Sequence, residues 1–268
     1  MSFIMNEKVK KIIEYGARVP HYHPNFPLIL FWSQKSGCTS FANWFFSQIG
    51  LYEIAMQYNP FIHNYEYDIY KSKAGYITKL SRELLKGEKD TLKLVRNPYK
   101  RAVSSFVSLI APPGIENPEW EPIRKFIYND STCKKKISFK HFLHYLHANG
   151  ADSDYLNPHY SQQYIQGEEE FVTNYIYLEN FTNEISKIET KYNLQTIPLD
   201  TLTRSWHHQA PKMIHKGNYA EADITDPSFP RLPTYQSFYD TEAIQLVTDI
   251  FNEDFEAYHY LKMDISTI

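Results

Sequence analysis

Cysteine is scarce in this chain: Cys38 and Cys133 are its only thiols among 268 residues. Two cysteines make no disulfide framework, and no zinc-type ligand spacing accompanies them. An excess of basic residues is also missing. The 28 Lys and Arg face 31 Asp and Glu, for a formal net charge of −3. That balance argues against broad nucleic-acid binding and confines any basic site to a local patch. No apolar run is long enough to span a bilayer. The N-terminal stretch MSFIMNEKVKKIIEYGARVP lacks the apolar core and cleavage-like end of a signal peptide. It reads as a short amphipathic helix with Ile4, Val9, Ile12 and Ile13 on its apolar side. The expected setting is soluble, reducing and cytoplasmic. No internal repeat or low-complexity tract interrupts the chain.

The hydrophobic fraction is 43% and the charged fraction 22%, as in globular proteins. The length suits one large α/β domain with a sizeable core. The 22 Tyr and 17 Phe predict an aromatic core and also permit exposed rings that stack on a sugar or base.

The stretch LILFWSQKSGCTSFANWFF, Leu28 to Phe46, organises the rest. Leu28-Ile29-Leu30-Phe31-Trp32 is short, β-prone and apolar on both faces, as in a buried parallel strand. Ser33 to Ser40 is small and polar, with one cation and one glycine. Phe41, Trp44, Phe45 and Ile49 then follow at helical spacing. A strand, a tight polar loop and a helix N-terminus together aim N–H groups and partial positive charge at one spot. Lys35 adds a full charge, and Ser36, Thr39 and Ser40 add hydroxyls, so the loop fits a phosphate or sulfate group. It is not the usual nucleoside-triphosphate loop, whose lysine follows the second glycine. Here Lys35 precedes Gly37, and no first glycine exists. The same residues also fit a plain strand–helix turn, with Gly37 at positive φ and a Ser/Thr cap.

Thr91 to Val95 reads as a second buried strand. It runs into RNPYKRAVSSF, Arg96 to Phe106. Asn97 fits a helix cap and Pro98 the first helical turn. Arg96 falls at the C-terminal end of the strand, where ligands bind in open α/β sheets.

K-S-G-C-T-S after a strand resembles the 5′-phosphosulfate loop of sulfotransferases that use 3′-phosphoadenosine 5′-phosphosulfate (PAPS). R-N-P-Y-K-R-A-V-S-S-F resembles their 3′-phosphate motif, R-D-P-x-x-R-x-x-S, with Asn97 where Asp is usual. The resemblance is strongest to the carbohydrate, or family 2, sulfotransferases. It spans roughly Leu28 to Leu261, strong at two motifs and faint between them. It implies an α/β fold like that of P-loop NTPases, with a parallel sheet flanked by helices on both faces. One sulfotransferase domain over 1–268 is expected. Its parts would be an N-terminal helix and loop (1–27), a cofactor-binding core (28–110), an insertion with the acceptor region (111–235) and a C-terminal helix (236–268).

The resemblance further implies sulfuryl transfer from PAPS to a hydroxyl, with a glycan or glycolipid as acceptor and adenosine 3′,5′-bisphosphate as product. Lys35 and the backbone of Ser36, Gly37, Cys38, Thr39 and Ser40 would hold the 5′-phosphosulfate. Arg96 and Ser104 would hold the 3′-phosphate, and Lys216-Gly217 is a faint match to a segment that caps it. The chemistry needs no metal. It does need a general base, which relatives supply from the segment after the loop helix. The candidates here are His63, then His159, with Glu66 and Glu53 behind. His63 lies in NPFIHNY, read as a non-helical segment, and titrates near neutrality.

The remaining chain adds weaker signals. His21 and His23 read as loop residues. Lys71 to Lys89 reads as partly helical, with Leu80, Leu84 and Leu85 on its apolar side and its lysines solvated. The second strand and the helix after it run from Thr91 to about Ile110, and the helix is expected to stop at Ala111-Pro112-Pro113-Gly114. His141, His144 and His147, three residues apart on a helix capped by Ser138, have no carboxylate partner that would suggest a metal. NPHYSQQ, Asn157 to Gln163, resembles an acceptor-cleft segment of family 2, in which His159, Gln162 and Gln163 would bond sugar hydroxyls and Tyr160 would stack. Phe171 to Phe181 predicts a strand that leads into a helix from Thr182 to Tyr192, with Glu179-Asn180 matching the family pattern between them. The end of the chain resembles the family's closing helix, with His259 at its glycine position. Two other classes stay open: a P-loop small-molecule kinase, which needs Mg²⁺, and a non-catalytic glycan- or nucleotide-binding module on the same fold.

Overall fold

The computed structural model describes residues 6–14, 18–112, 115–153, 156–203, 213–230 and 233–263. Ile4, Pro113 and Gly114 lie outside them. In chain order the elements are α1 (Glu7–Glu14), β1 (Leu28–Phe31), α2 (Cys38–Gln48), α3 (Tyr52–Tyr58), α4 (Ile62–Tyr65), a π-turn (Glu66–Tyr70) and α5 (Tyr76–Lys86). Then come β2 (Asp90–Val95), α6 (Pro98–Val107), α7 (Trp120–Tyr128), α8 (Phe139–Asn149), β3 (Asn174–Tyr177), α9 (Phe181–Lys191), α10 (Leu199–Thr203), α11 (Thr241–Ile250) and α12 (Asn252–Tyr258).

These fall into two compact units. The first takes the described residues of Met1–Arg96 and Gln163–His208, the second those of Asn97–Gln162 and Gln209–Ile268.

The first unit holds the sheet. Its order is β1-β2-β3 and both pairings are parallel, with Leu30 opposite Leu92 and Leu94 opposite Ile176. This is the expected α/β class. Successive side chains of a strand point to opposite faces. All four residues of β1 are buried, so both faces of that strand are covered. In β2 only Asp90 is exposed. Helix α2 presents Phe41, Trp44, Phe45 and Phe46 to the core, all fully buried. Trp44 takes its polar edge with it and donates Nε1–H to the buried Glu189 carboxylate at 2.9 Å. In α1, Val9, Ile12 and Ile13 are the buried side, as the amphipathic pattern predicts. In α5, Leu80 and Leu84 are buried and Leu85 is exposed.

Helices alone make the regular structure of the second unit among its described residues. Pro98 opens α6, and the Asn97 side chain accepts the Lys100 N–H at 3.2 Å. Asn thus does the capping that Asp does in the family motif. The helix stops at Val107, earlier than the expected 110. Ser138 caps α8 in a reciprocal box with His141, whose ring nitrogen accepts the Ser138 N–H. The closing helix breaks at Phe251 into α11 and α12. At the family's glycine position His259 takes the left-handed conformation, φ 55°, so the stop keeps its geometry without glycine.

Candidate active site

β1 and β2 run parallel, so their C-terminal ends lie side by side, and the polar loop after β1 starts there. Its backbone is bent by two left-handed residues, Lys35 at φ 64° and Gly37 at φ 89°. A Cβ on Gly37 would sit 2.5 Å from Leu178 Cδ1. That leucine tip can move, so the positive φ is the firmer demand for glycine. Helix α2 begins at Cys38, one residue after this bend. Cys38, Thr39 and Ser40 therefore belong to the first helical turn rather than to the loop. Their N–H groups have no intrahelical acceptor and sit at the positive end of the helix dipole. Lys35 and these three residues are half-buried, and together they make an anion cradle.

Ser36 does a different job from the one its hydroxyl suggests. It is fully buried and donates to Gln163 Oε1 at 2.6 Å, with Ser33 Oγ 2.7 Å away. It shapes the loop from behind. Gln163 is also buried, which moves it from the acceptor to the cradle. Its Oε1 accepts the Arg96 N–H at 2.9 Å, and its Nε2 donates to Arg96 O at 2.8 Å. Arg96 in turn donates from Nη1 to Lys35 O at 2.8 Å. One amide thus ties the loop after β1 to the end of β2. Nothing in the sequence near Gln163 signals this, because its partners lie 67 and 127 residues away. Deeper in β2, the buried Lys93 pairs with the buried Glu168 and donates to Gln163 O at 2.6 Å.

His63 lies on α4, not on an irregular segment. Its Nε2 is 3.3 Å from Thr39 Oγ1, on the first turn of α2, and it also hydrogen-bonds the Cys38 thiol. Its Nδ1 is 2.6 Å from Glu66 Oε2. Trp32 stacks on the imidazole at 5.9 Å, and Phe61 meets it edge-on at 5.1 Å. Burial opposes charge on this ring, but Cys38 and Glu66 outweigh it and raise His63 to about 10. Burial likewise pushes the Cys38 thiol up, and the charge and hydrogen bond of His63 reverse that and lower it.

Glu66 is fully buried and pairs with Lys71 through Oε1. Burial favours its neutral form, yet the charge of Lys71, with the hydrogen bond and charge of His63, holds the carboxyl far below the ordinary range. Lys71 is therefore not the solvated lysine its basic segment predicts: it is buried, with Nζ 5.4 Å from the Trp32 ring centroid. His21 also differs from a loop histidine. It bridges to Leu30, stacks on Phe45 at 5.1 Å and carries no hydrogen bond on either ring nitrogen. Burial, and then Lys71, lower it well below the usual value, so it is neutral. Glu53, by contrast, is exposed on α3.

The second unit holds the other sequence candidates. Ser104 is half-buried on α6. The neighbouring Ser105 donates to His159 O at 2.7 Å. His159 itself is exposed, with Nδ1 2.9 Å from Asn157 Oδ1. Tyr160 is buried edge-on against Phe142 at 5.1 Å, which corrects the expectation that it stacks on a ligand. Gln162 is buried too and donates to Glu253. Lys216 and Gly217 are exposed, and the Gly217 N–H donates to Ser237 Oγ at 3.0 Å. His144 pairs with Glu242 at 3.0 Å, a carboxylate partner that the sequence did not reveal. Among the described residues no group of three or more His, Cys, Asp or Glu could hold a metal ion. None of their helices is long and apolar enough to cross a membrane.

No curated protein and no solved structure matches the chain. A family model does, that of the Sulfotransferase family, over residues 23–261. The match spans the cradle, His63, both strand ends and the closing helix. With the parallel sheet and the anion cradle in place, it shows that this chain belongs to the sulfotransferase family and has its fold.

Proposed function

We propose that the protein transfers a sulfuryl group from PAPS to a hydroxyl on a carbohydrate or glycoconjugate. The observation that carries this is a single juxtaposition. Nε2 of His63 lies 3.3 Å from Thr39 Oγ1 on the first turn of α2, whose N–H groups lack intrahelical acceptors. An anion cradle and a base thus meet at one place.

The cradle fits a 5′-phosphosulfate: the N–H groups of Cys38, Thr39 and Ser40 bind its oxygens, and Lys35 supplies the cation. PAPS, when bound, supplies the sulfuryl group and leaves as adenosine 3′,5′-bisphosphate. Lys35 stabilises the negative charge that builds on the bridging oxygen, which helps only in the transition state. His63 donates Nδ1–H to Glu66, so the Nε2 lone pair of its neutral form faces the cradle and takes the proton of the acceptor hydroxyl. Arg96, Ser104 and Lys216-Gly217 are assigned to the 3′-phosphate, and His159 to the acceptor as second candidate for the base. The reading of 1–268 as one sulfotransferase domain, and of the cytoplasm as its setting, belongs to this proposal.

Calorimetry with adenosine 3′,5′-bisphosphate tests the donor. The expected result is tight binding that is indifferent to Mg²⁺. Preference for Mg·ATP would replace this reading with that of a kinase, and binding without turnover on any of a panel of glycans, lipids and phenols with labelled PAPS would leave a binding module.

A further inference from the structure

The π-turn after α4 sets a spacing that an α-helix does not allow. In an α-helix residues three and four apart share a face, and residues five apart do not. Here the Lys71 N–H donates to Glu66 O at 2.8 Å, an i→i−5 bond. That widened turn places the Lys71 side chain over Glu66, while His63, three residues before Glu66, reaches the same carboxylate from α4. Glu66 is thereby bonded on both oxygens, Oε2 by His63 and Oε1 by Lys71. Such turns interrupt α-helices at functional positions.

We propose that this π-turn assembles His63, Glu66 and Lys71 into a buried triad in which Glu66 fixes the imidazole with Nε2 toward the cradle and Lys71 tempers the pull of Glu66 on the ring. Both are positioning residues, which act through His63. Geometry excludes Glu66 as the base itself: neither carboxylate oxygen is turned to solvent, since the residue is fully buried. The proposal rests on His63 being the base.

The groups that face His63 are few. Cys38 and Thr39 approach from α2, Glu66 and Tyr67 from the π-turn, and Trp32 and Phe61 are uncharged. Lys71 reaches it through Glu66. His21, with Nδ1 3.5 Å from Glu66 Oε1, is neutral and adds no competing charge. Lys35 acts on Cys38 from the loop. Of these, Glu66 is the anion that the π-turn delivers and Lys71 is its counter-charge. Removing both charges should therefore lower the proton affinity of His63, and removing Lys71 alone should raise it.

The test uses Lys71→Met and the double variant Glu66→Gln with Lys71→Met, which removes the pair without stranding a buried charge. Each is first checked for adenosine 3′,5′-bisphosphate binding and thermal unfolding like wild type. NMR titration of the His63 ring and the pH profile of kcat are then read together. In the double variant the ring titration and the acid limb of kcat should fall together by about 1–3 pH units, and the plateau kcat above the limb should drop by about 10²-fold with KM for donor unchanged. In Lys71→Met the titration should move the opposite way. A ring titration that stays put in both folded variants overturns the triad. A ring titration that moves as expected while the kcat profile does not follow it leaves the triad standing and removes His63 as the base. If Lys71→Met alone fails to fold, the double variant decides, because loss of the anion is sufficient for the downward shift.

Discussion

The two units differ in where their ion pairs lie. The first buries the pairs Glu66–Lys71 and Lys93–Glu168 whole, and Arg18, Arg96 and Glu189 are also nearly inaccessible. The second buries Arg101, Arg124 and Asp254 beside a core that is aromatic around Phe106, Phe139, Phe142 and Phe238. Its ion pairs, such as Lys134–Glu116 and Lys140–Glu242, have carboxylates open to solvent. A buried ion pair brings little or no net stability over an apolar pair of the same volume. The first unit therefore keeps its buried pairs at a thermodynamic disadvantage, and Glu66, Lys71, Lys93 and Arg96 lie next to the base or the cradle. That is where buried, shifted groups mark function.

The comparison can be broken at four points. The largest effect is expected at the base. His63→Ala should lower kcat by about 10²–10⁴-fold with donor affinity unchanged, as read from steady-state kinetics and calorimetry. In wild type the rate should climb with pH through an acid limb above the ordinary histidine range, because His63 is raised. A rate that falls through that limb would show the protonated ring acting as a cation on the sulfonate instead.

Next is the buried pair under the cradle. Lys93→Met strands the Glu168 carboxylate and should cost roughly 3–5 kcal/mol in urea unfolding. Adding Glu168→Gln should return most of it. Lys134→Ala in the second unit, which breaks an exposed pair, should change stability by no more than about 1 kcal/mol. If the two substitutions cost the same, the contrast between the units fails.

A third difference appears with pH. Glu66 is depressed from 4.5, so its contribution is present above that value and is lost as pH falls through its folded-state value. His63 is raised from 6.5 to about 10, so its contribution is full below 6.5 and is lost as pH rises toward 10. Urea midpoints across pH should show a plateau between 4.5 and 6.5 that declines on both sides. The double variant that removes the Glu66 and Lys71 charges should flatten the acid-side slope and only lessen the alkaline one, because Cys38 also raises His63.

The smallest effect is local to the second unit. Ser138→Ala removes the cap of α8 and should cost about 1 kcal/mol, with kcat unaltered.

What could be read from the sequence was whatever is decided over a few residues. The strand–loop–helix of Leu28 to Gln48 announces itself by a change of periodicity, and the start of α6 by Asn97-Pro98. Ser138 shows as a cap for the same reason. The partners of these side chains are near in sequence or are the backbone itself. Gln163 and Lys71 were misread because their roles depend on distant or irregular geometry. Gln163 stands in a polar run that resembles a sugar-binding segment, yet its amide is consumed by Ser36 and Arg96. Lys71 lies among solvated lysines, and only an i→i−5 turn brings it over Glu66. Tyr160 was misread for a third reason: a tyrosine that fills a core and one that stacks on a ligand leave the same letter in the chain.

The bond from Arg96 to the carbonyl of Lys35 has a mechanical consequence. The donor proposed here is charged at both ends, and Lys35 and Arg96 are assigned to different ends. The guanidinium of one is fastened to the main chain of the other, and Gln163 braces both from behind. The two anchors thus form a gauge of set length rather than two independent hooks. A ligand of the right span meets both without first ordering either, and so avoids that entropic cost. A ligand with one anionic end fills one jaw of the gauge and gains nothing from its rigidity. Discrimination against singly charged nucleotides would then reside in the stiffness of the frame as much as in the groups that touch the ligand.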